Sequence, residues 1–214
     1  MPTRRQLRSD IILRITGGKP SDDFEVDNRQ IDFWIDTVRA AMISEKYTQK
    51  KTSMEDYTVE YLCLPILNER VECDCPINKY YVDLPTSVLD LNGDAGVYRV
   101  ETAAGYALSR IRRNEISRVG NLKYMINNTM PSYYRVGERL YFEGGKKSFL
   151  NHGKVNLVLI PYDTIGIIDD DAEYPIGGDI TYKLLLEVET IARREISIPD
   201  DDLNDGDSEI HNIK

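Results

Sequence analysis

An acidic run near the end of the chain is the first candidate for a chemical site. Residues 199–209 read PDDDLNDGDSE. An EF-hand calcium loop needs oxygen ligands at positions one, three, five and twelve, and glycine at position six. With Gly206 at position six, Leu203 falls at position three and Asn212 at position twelve. The run is therefore not a calcium loop of this kind.

The same carboxylates do not form a convincing acid–base pair. Such a pair needs burial to move the pKa values of its members apart, and the apolar neighbours here are Leu203 and Ile210. We interpret residues 199–214 as an extended acidic C-terminal arm that becomes ordered against a partner. Its predicted partner-binding residues are Asp200, Asp201, Asp202, Asp205 and Asp207.

The chain has few histidines and cysteines that could activate a nucleophile or bind a metal ion. The two histidines, His152 and His211, lie in a turn segment and in the tail, where neither would be held beside a serine or cysteine. Cys73 and Cys75 have C-x-C spacing, which is half of a metal site without a second half. We predict no catalytic residues, no metal site and no cofactor, and therefore no enzyme.

A basic cluster interrupts the acidic chain within the segment SRIRRNEISRVG, which contains Arg110, Arg112, Arg113 and Arg118. In a strand the even-numbered arginines would point to one face. That face could be solvated, could contact an acidic surface of another subunit, or could bind nucleic acid. We name the four arginines as candidate subunit-interface residues, since they could pair with acidic groups of a neighbouring copy.

The overall charge limits the choice of partner. There are 36 acidic and 27 basic residues, which gives a net charge of -9. A general duplex-binding protein would carry the opposite sign, because neutralised phosphates supply most of its affinity. No stretch approaches the length of a membrane span, so we expect no membrane contact.

The N-terminal part predicts two amphipathic helices. Thr3 and Gln6 have capping-box spacing, and Gly17-Gly18 marks the end of the first helix. Asp27 is the predicted N-cap of the second helix. The apolar stripe of the second helix is Ile31, Trp34, Ile35, Val38 and Met42. We expect Trp34, Ile35 and Val38 to form the core of a helical layer.

From about residue 56 the hydrophobic period becomes that of strands. The segments VEYLCLPI, KYYVDLP, VYRVE, ISRV, YYRV, RLYF and VNLVLIPY are bounded by turn residues. A helical period returns near residue 179. We predict an α+β fold in which an antiparallel β-sandwich or barrel is inserted into a helical layer formed by both chain termini. The predicted units are 1–52 (helical), 53–168 (β domain), 169–198 (C-terminal helix joining the helical layer) and 199–214 (arm).

Several segments together resemble the head-to-tail connector, or ring, proteins of tailed bacteriophages, and most closely those of crAss-like phages. They are TGGKPSDDFEVDNRQIDFWIDTVRAAMISEKY, LPTSVLDLNGDAGVYRVE, SYYRVGERLYFEGG and the closing block from IPYDTIGIIDDD to DDDLNDGD. The resemblance implies a helical layer from both termini, a β domain attached to it, and a C-terminal extension that reaches a neighbouring ring. It also implies a cyclic homo-oligomer of 12 copies around a DNA channel, bound to the portal and to neighbouring tail ring proteins.

The expected function is that of a structural virion protein in the phage neck or tail, assembled in the host cytoplasm. DNA would pass the ring without specific binding, because an acidic channel wall repels it during genome ejection. Two alternatives stay within this class: a more distal tail ring or a tail-completion protein. A nucleic-acid-associated regulator that uses the arginine segment is the alternative from a different class.

Overall fold

A computed structural model describes residues 1–18, 26–49, 53–71, 77–112, 115, 131–145, 149–150 and 153–195. Three long helices are found in this part of the chain: α1 (Arg4–Ile15), α2 (Asn28–Gln49) and α3 (Gly178–Glu195). The strands are β1 (Val59–Pro65), β2 (Leu67–Val71), β3 (Ile77–Asp83), β4 (Val97–Thr102), β5 (Ser109–Arg110), β6 (Ser132–Val136), β7 (Arg139–Glu143) and β8 (Lys154–Leu159). The predicted α+β fold, with strands inserted between terminal helices, is confirmed.

Local signals define the limits of α1, as the sequence predicted. The Thr3 hydroxyl accepts a hydrogen bond from the Gln6 amide at 3.2 Å, and the Gln6 side chain accepts one from the Thr3 amide at 2.9 Å. At the other end Gly17 and Gly18 have φ values of 63° and 81°. This left-handed conformation favours glycine, so the helix ends here.

The second and third helices pack against each other in antiparallel orientation. Asp27 caps α2, because its carboxylate accepts a hydrogen bond from the Arg29 amide at 3.1 Å. Lys183, near the start of α3, lies 3.3 Å from Glu45, near the end of α2. This ion pair places the first turns of α3 beside the last turns of α2.

The strands form two sheets, one with the order β1-β8-β4 and one with the order β2-β3-β7-β6-β5. Every pair is antiparallel except β5 with β6, which is parallel. Ile66 alone separates β1 from β2, so the chain crosses there from the first sheet to the second. Between β6 and β7 the turn begins at Gly137 with a φ of 60°, the conformation that a II′ hairpin turn requires at its first position.

Two groups of buried side chains hold the fold together. The first joins α1, α2 and α3 to the loops that carry Tyr57, Leu89 and Ile160. The second lies between the inner faces of the two sheets and includes Val100 from one sheet and Leu140 from the other. Both sheets therefore share one core, and the loops beside them connect this core to the helical layer.

Candidate functional site

A buried polar centre joins α1, α2 and the loop before α3. Its middle is Asp36 on α2, which is 4% exposed. The Asp36 carboxylate accepts hydrogen bonds from the Thr164 amide at 3.1 Å, from the Thr164 hydroxyl at 2.7 Å and from the Tyr174 hydroxyl. Buried carboxylates are stable only when such partners replace water. The loop residues Thr164 and Tyr174 are thus fixed to α2.

Arg4 brings α1 into the same centre. It lies on the buried face of α1 together with Leu7 and Ile11. Its guanidinium donates to the Thr164 hydroxyl, lies 3.5 Å from an Asp36 carboxylate oxygen and stands over the Tyr174 ring at 5.4 Å. Within the described part of the chain, the Arg4 Nε atom has no hydrogen-bond acceptor.

Arg39 connects the helical layer to the β region. Its guanidinium donates three hydrogen bonds to backbone carbonyls: to Pro175 at 2.8 Å, and to Pro161 and Tyr57 at 2.9 Å each. Tyr57 precedes β1, Pro161 follows β8, and Pro175 precedes α3. One side chain therefore binds α2 to the entry into the β region, to the exit from it and to the approach to the last helix.

Burial shifts the ionisation of this centre in consistent directions. It raises the pKa of Tyr174, so the phenol stays neutral and can donate its proton to the Asp36 carboxylate. Burial also lowers the pKa of Arg39 from its ordinary value. Arginine begins from so high a pKa that the group remains a cation at neutral pH.

The arrangement of this buried centre suits a structural role and not catalysis. Arg4, Arg39 and Tyr174 are each at most 1% exposed. A general acid or base must come within hydrogen-bond reach of its substrate, which these closed positions do not allow. In the described part of the chain no group of three or more His, Cys, Asp or Glu side chains could hold a metal ion. These hydrogen bonds and ion pairs join distant parts of one subunit.

A second group of charges lies nearer the surface and holds the start of α1. The Arg8 guanidinium contacts Asp32 at 2.8 Å and Asp170 at 3.1 Å. Arg5 lies 2.8 Å from Asp171. The start of α1 is therefore bound to both α2 and the loop before α3.

The predicted core residues and the predicted interface residues lie in different places. Trp34, Ile35 and Val38 are 6%, 0% and 7% exposed and belong to the buried group of the helical layer. Arg110 is exposed at the end of β5. Arg112 is also exposed but follows the strand in a turn, where its amide donates to the Glu115 carboxylate at 3.1 Å. Because β5 ends at Arg110, the alternation expected for a longer strand does not extend to Arg112.

Several predicted residues lie outside the described part of the chain. They are Arg113 and Arg118 of the basic cluster and Asp200, Asp201, Asp202, Asp205 and Asp207 of the arm. The same holds for the cysteines and histidines considered for chemistry, which are Cys73, Cys75, His152 and His211. The segment ISRV, predicted as a strand, also falls there.

The helical layer also carries exposed apolar side chains. Phe33 on α2 is 55% exposed, and Tyr182 and Leu186 on α3 are 63% and 40% exposed. A groove of about 320 Å³ runs between α2 and α3, with Val38 and Met42 among its lining residues. The predicted stripe of α2 indicates its buried side, and the structure shows that Val38 also reaches this groove.

The face of the five-stranded sheet that points away from the shared core is rich in tyrosine, of which Tyr81 and Tyr141 are half-buried and Tyr134 is 9% exposed. On the outer face of the five-stranded sheet, Tyr141 stacks on Tyr134 at 5.5 Å and lies 5.9 Å from Tyr81. The Arg139 guanidinium stands 4.4 Å over the Tyr81 ring. Tyrosine and arginine are enriched where proteins bind one another.

The buried charges of this fold connect its own elements, and its surface exposes apolar and aromatic side chains of the kind found where proteins bind one another. Residues 6–212 match the family described as phage tail ring protein 2. The chain belongs to this family of crAss-like phage tail ring proteins, and is therefore a structural component of a bacteriophage virion. Among curated proteins no sequence match is found. Of the helices described, none has the length and hydropathy of a membrane-spanning segment.

Proposed function

We propose that the chain forms a closed ring by head-to-tail contacts between identical subunits, in the neck or tail of the virion. The ring connects the portal to the tail and encloses the channel through which DNA leaves the head. Twelve copies are proposed from the family resemblance. Residues 1–52 and 169–198 form its helical layer, residues 53–168 its β domain and residues 199–214 a partner-binding arm.

The match to a tail ring family over residues 6–212 carries this proposal. The exposed apolar side chains of the helical layer support it. Monomeric proteins rarely leave large apolar patches in water unless the patch binds something. A head-to-tail ring needs two different surfaces on each subunit, because the rotation that closes it brings unlike faces together. The helical layer and the tyrosine-rich sheet face supply two such surfaces.

Charge contacts between subunits are proposed to set the register of the ring. Arg110 and Arg112 are exposed and could meet acidic groups of a neighbouring subunit. Arg113 and Arg118 belong to the same proposal because they lie in the same basic segment. Such pairs fix orientation more than they add affinity. In the arm, the five aspartates between residues 200 and 207 are proposed to bind a partner protein.

The passage of DNA fits the charge of the chain. With a net charge of -9, a ring of many copies repels a polyanion that passes through it. Duplex DNA should therefore bind little, and raising the salt concentration should change that binding little. Strong duplex binding that falls steeply with salt would instead favour the nucleic-acid-associated regulator.

The test is the solution mass of the protein, alone and mixed with the portal and neighbouring tail ring proteins from the same genome. We expect a ring, formed by the protein alone or only when one of these partners is present. A chain cut after Pro199 should remain folded by circular dichroism but fail to assemble. A protein that stays monomeric with every virion partner would contradict the proposed function, and an unfolded truncated chain would contradict the proposed role of the arm.

A further inference from the structure

The groove between α2 and α3 differs in charge from one end to the other. On α2, Arg29, Phe33, Thr37 and Ala41 follow one another at four-residue spacing, so they form one ridge that leads along the groove. Thr37 and Ala41 line the groove, and Phe33 continues the ridge as an exposed side chain. The wall of the groove formed by α2 therefore begins at the Arg29 guanidinium and continues with mostly apolar side chains.

The α3 wall has a cation at the same end. Glu187, Ile191 and Arg194 lie at spacings of four and three residues, which places them on one side of α3. Glu187 and Ile191 line the groove. Because the two helices are antiparallel, the last turn of α3 lies beside the first turns of α2. Arg194 is therefore at the same end of the groove as Arg29.

The two ends of the α2–α3 groove carry different charges. At the far end Glu45 is paired with Lys183 at 3.3 Å, and Glu187, one turn further along α3, adds an acidic group that forms an ion pair with none of the described residues and lies between that pair and Ile191. At the near end Arg29 and Arg194 are exposed, and neither forms an ion pair with any described residue. The floor between the two ends is apolar and includes Val38 and Met42. The groove fits an extended segment with apolar side chains followed by carboxylates.

The chain contains such a segment. Residues 196–202 read ISIPDDD, in which Ile196 and Ile198 are followed by three aspartates. We propose that this segment of a second copy lies in the α2–α3 groove, with its isoleucines on the apolar floor and its aspartates against Arg29 and Arg194. This inference rests on the proposed function, because it needs identical copies side by side in a ring.

The direction in which the segment would run along the groove favours binding to a second copy over binding to its own chain. In one chain the segment starts where α3 ends, at the end of the groove that carries Arg29 and Arg194. Folding back would put its isoleucines at that end and carry its aspartates toward Glu45 and Glu187. Like charges would then face each other, which is unfavourable. A segment from a neighbouring copy can run in the opposite direction and bring opposite charges together.

The segment begins directly after α3, because Ile196 follows Glu195, the last residue of that helix. Its seven residues span at most about 25 Å when fully extended. The contact therefore requires the groove of the neighbouring copy to lie beside the end of the donor's α3, as copies placed side by side in a ring would allow.

The experiment uses photo-crosslinking in the full-length protein. The photoreactive amino acid p-benzoylphenylalanine replaces Phe33, and copies grown with ¹⁴N are mixed with copies grown with ¹⁵N before assembly with the neck proteins. After irradiation, mass spectrometry identifies the crosslinked peptides and shows whether their two halves come from one copy or from two. The same replacement at Tyr182 is the matched control, because that exposed residue lies on the side of α3 near Arg14 and away from the groove.

We expect peptides from residues 196–214 to crosslink to position 33 in mixed-isotope pairs, and not to position 182. The double variant R29E/R194E should lower that yield about tenfold, since each reversal removes a favourable charge contact and adds a repulsive one. The double variant R135E/K154E changes the net charge equally within the β region and should leave the yield unchanged.

Two outcomes would overturn the inference, and only the second would also overturn the proposed function. If the ring forms but position 33 reacts only within one copy or with other segments, the groove does not hold the neighbour's segment and the proposed ring stands. If no ring forms with any neck protein, the proposed function fails and the inference fails with it.

Discussion

The Arg4 guanidinium on α1 lies 3.5 Å from the Asp36 carboxylate on α2, and both side chains are almost fully buried. Thr164 completes the contact, because its hydroxyl accepts from Arg4 and donates to Asp36. The start of the chain and the loop before the last helix are thus bound to the same carboxylate. A buried charge that loses its partner is costly, so this centre should be sensitive to single substitutions.

Asp36→Asn should lower the free energy of unfolding by about 3–5 kcal/mol, because Arg4 keeps its charge and loses its counter-ion in a closed interior. Urea denaturation measures the change. Asp171→Asn is the matched control: Asp171 pairs with Arg5 at 2.8 Å but both side chains are exposed. The control should change stability by less than about 1 kcal/mol. Equal losses of unfolding free energy in the two variants would contradict the claim that burial makes the Arg4–Asp36 pair more important than an exposed pair.

Arg39→Met should lower the free energy of unfolding by about 3–5 kcal/mol, because three buried carbonyl acceptors lose a charged donor at once. Arg39→Lys should recover only part of this loss, since an ammonium group cannot reproduce the guanidinium fork. Arg99→Met is the control, because Arg99 is itself exposed where it pairs with the half-buried Glu101. If Arg39→Lys is as stable as the natural protein, the three hydrogen bonds to carbonyls do not account for the contribution of Arg39 to stability.

Alkaline pH should destabilise the protein through Tyr174. Burial raises the pKa of Tyr174 above its ordinary value of 10.0, so the folded state does not release this proton while the unfolded chain does. The stability is therefore fully present below pH 10 and falls as the pH rises above it. Urea midpoints measured from pH 8 to pH 11 should decrease, and Tyr174→Phe should show a smaller decrease. An identical pH dependence in that variant would contradict the assignment.

Gly96→Ala should lower the free energy of unfolding by about 1–3 kcal/mol through overpacking. A Cβ atom at this position would lie 2.0 Å from the Leu89 carbonyl oxygen and 2.6 Å from a Val88 side-chain carbon. The backbone would have to move where it joins β4 to the helical layer. Gly178→Ala is the control, because a Cβ atom there meets nothing within 4 Å. Thermal unfolding of both variants measures the difference.

The helices could be predicted because their signals are local. The capping residues Thr3 and Gln6 lie three positions apart, and the stripe through Trp34 and Val38 repeats with the helical period. Each signal depends on neighbours within one or two turns, which sequence spacing shows directly. The alternating strands and the turn at Gly137 could be predicted for the same reason.

The strand β2 was missed, and the partner of β5 was not predicted, because pairing with other strands decides both. The segment of β2, LNERV, is mostly polar and becomes a strand through its ladder with β3, in which Leu67 lies opposite Tyr81. The two residues of β5 pair in parallel with β6 across a long intervening segment. Neither partner can be identified from the local pattern, since strand preference depends on what the strand packs against.

The sequence by itself determined the order of helices and strands, the acidic balance and the apolar side of each helix. Only the tertiary structure decided that Arg4, Asp36 and Arg39 lie inside, because as residue types they are expected in water. Their burial depends on the carbonyls of Tyr57, Pro161 and Pro175 and the hydroxyls of Thr164 and Tyr174. These groups are far apart along the chain and meet only when it folds, so no spacing in the sequence could indicate the centre they form.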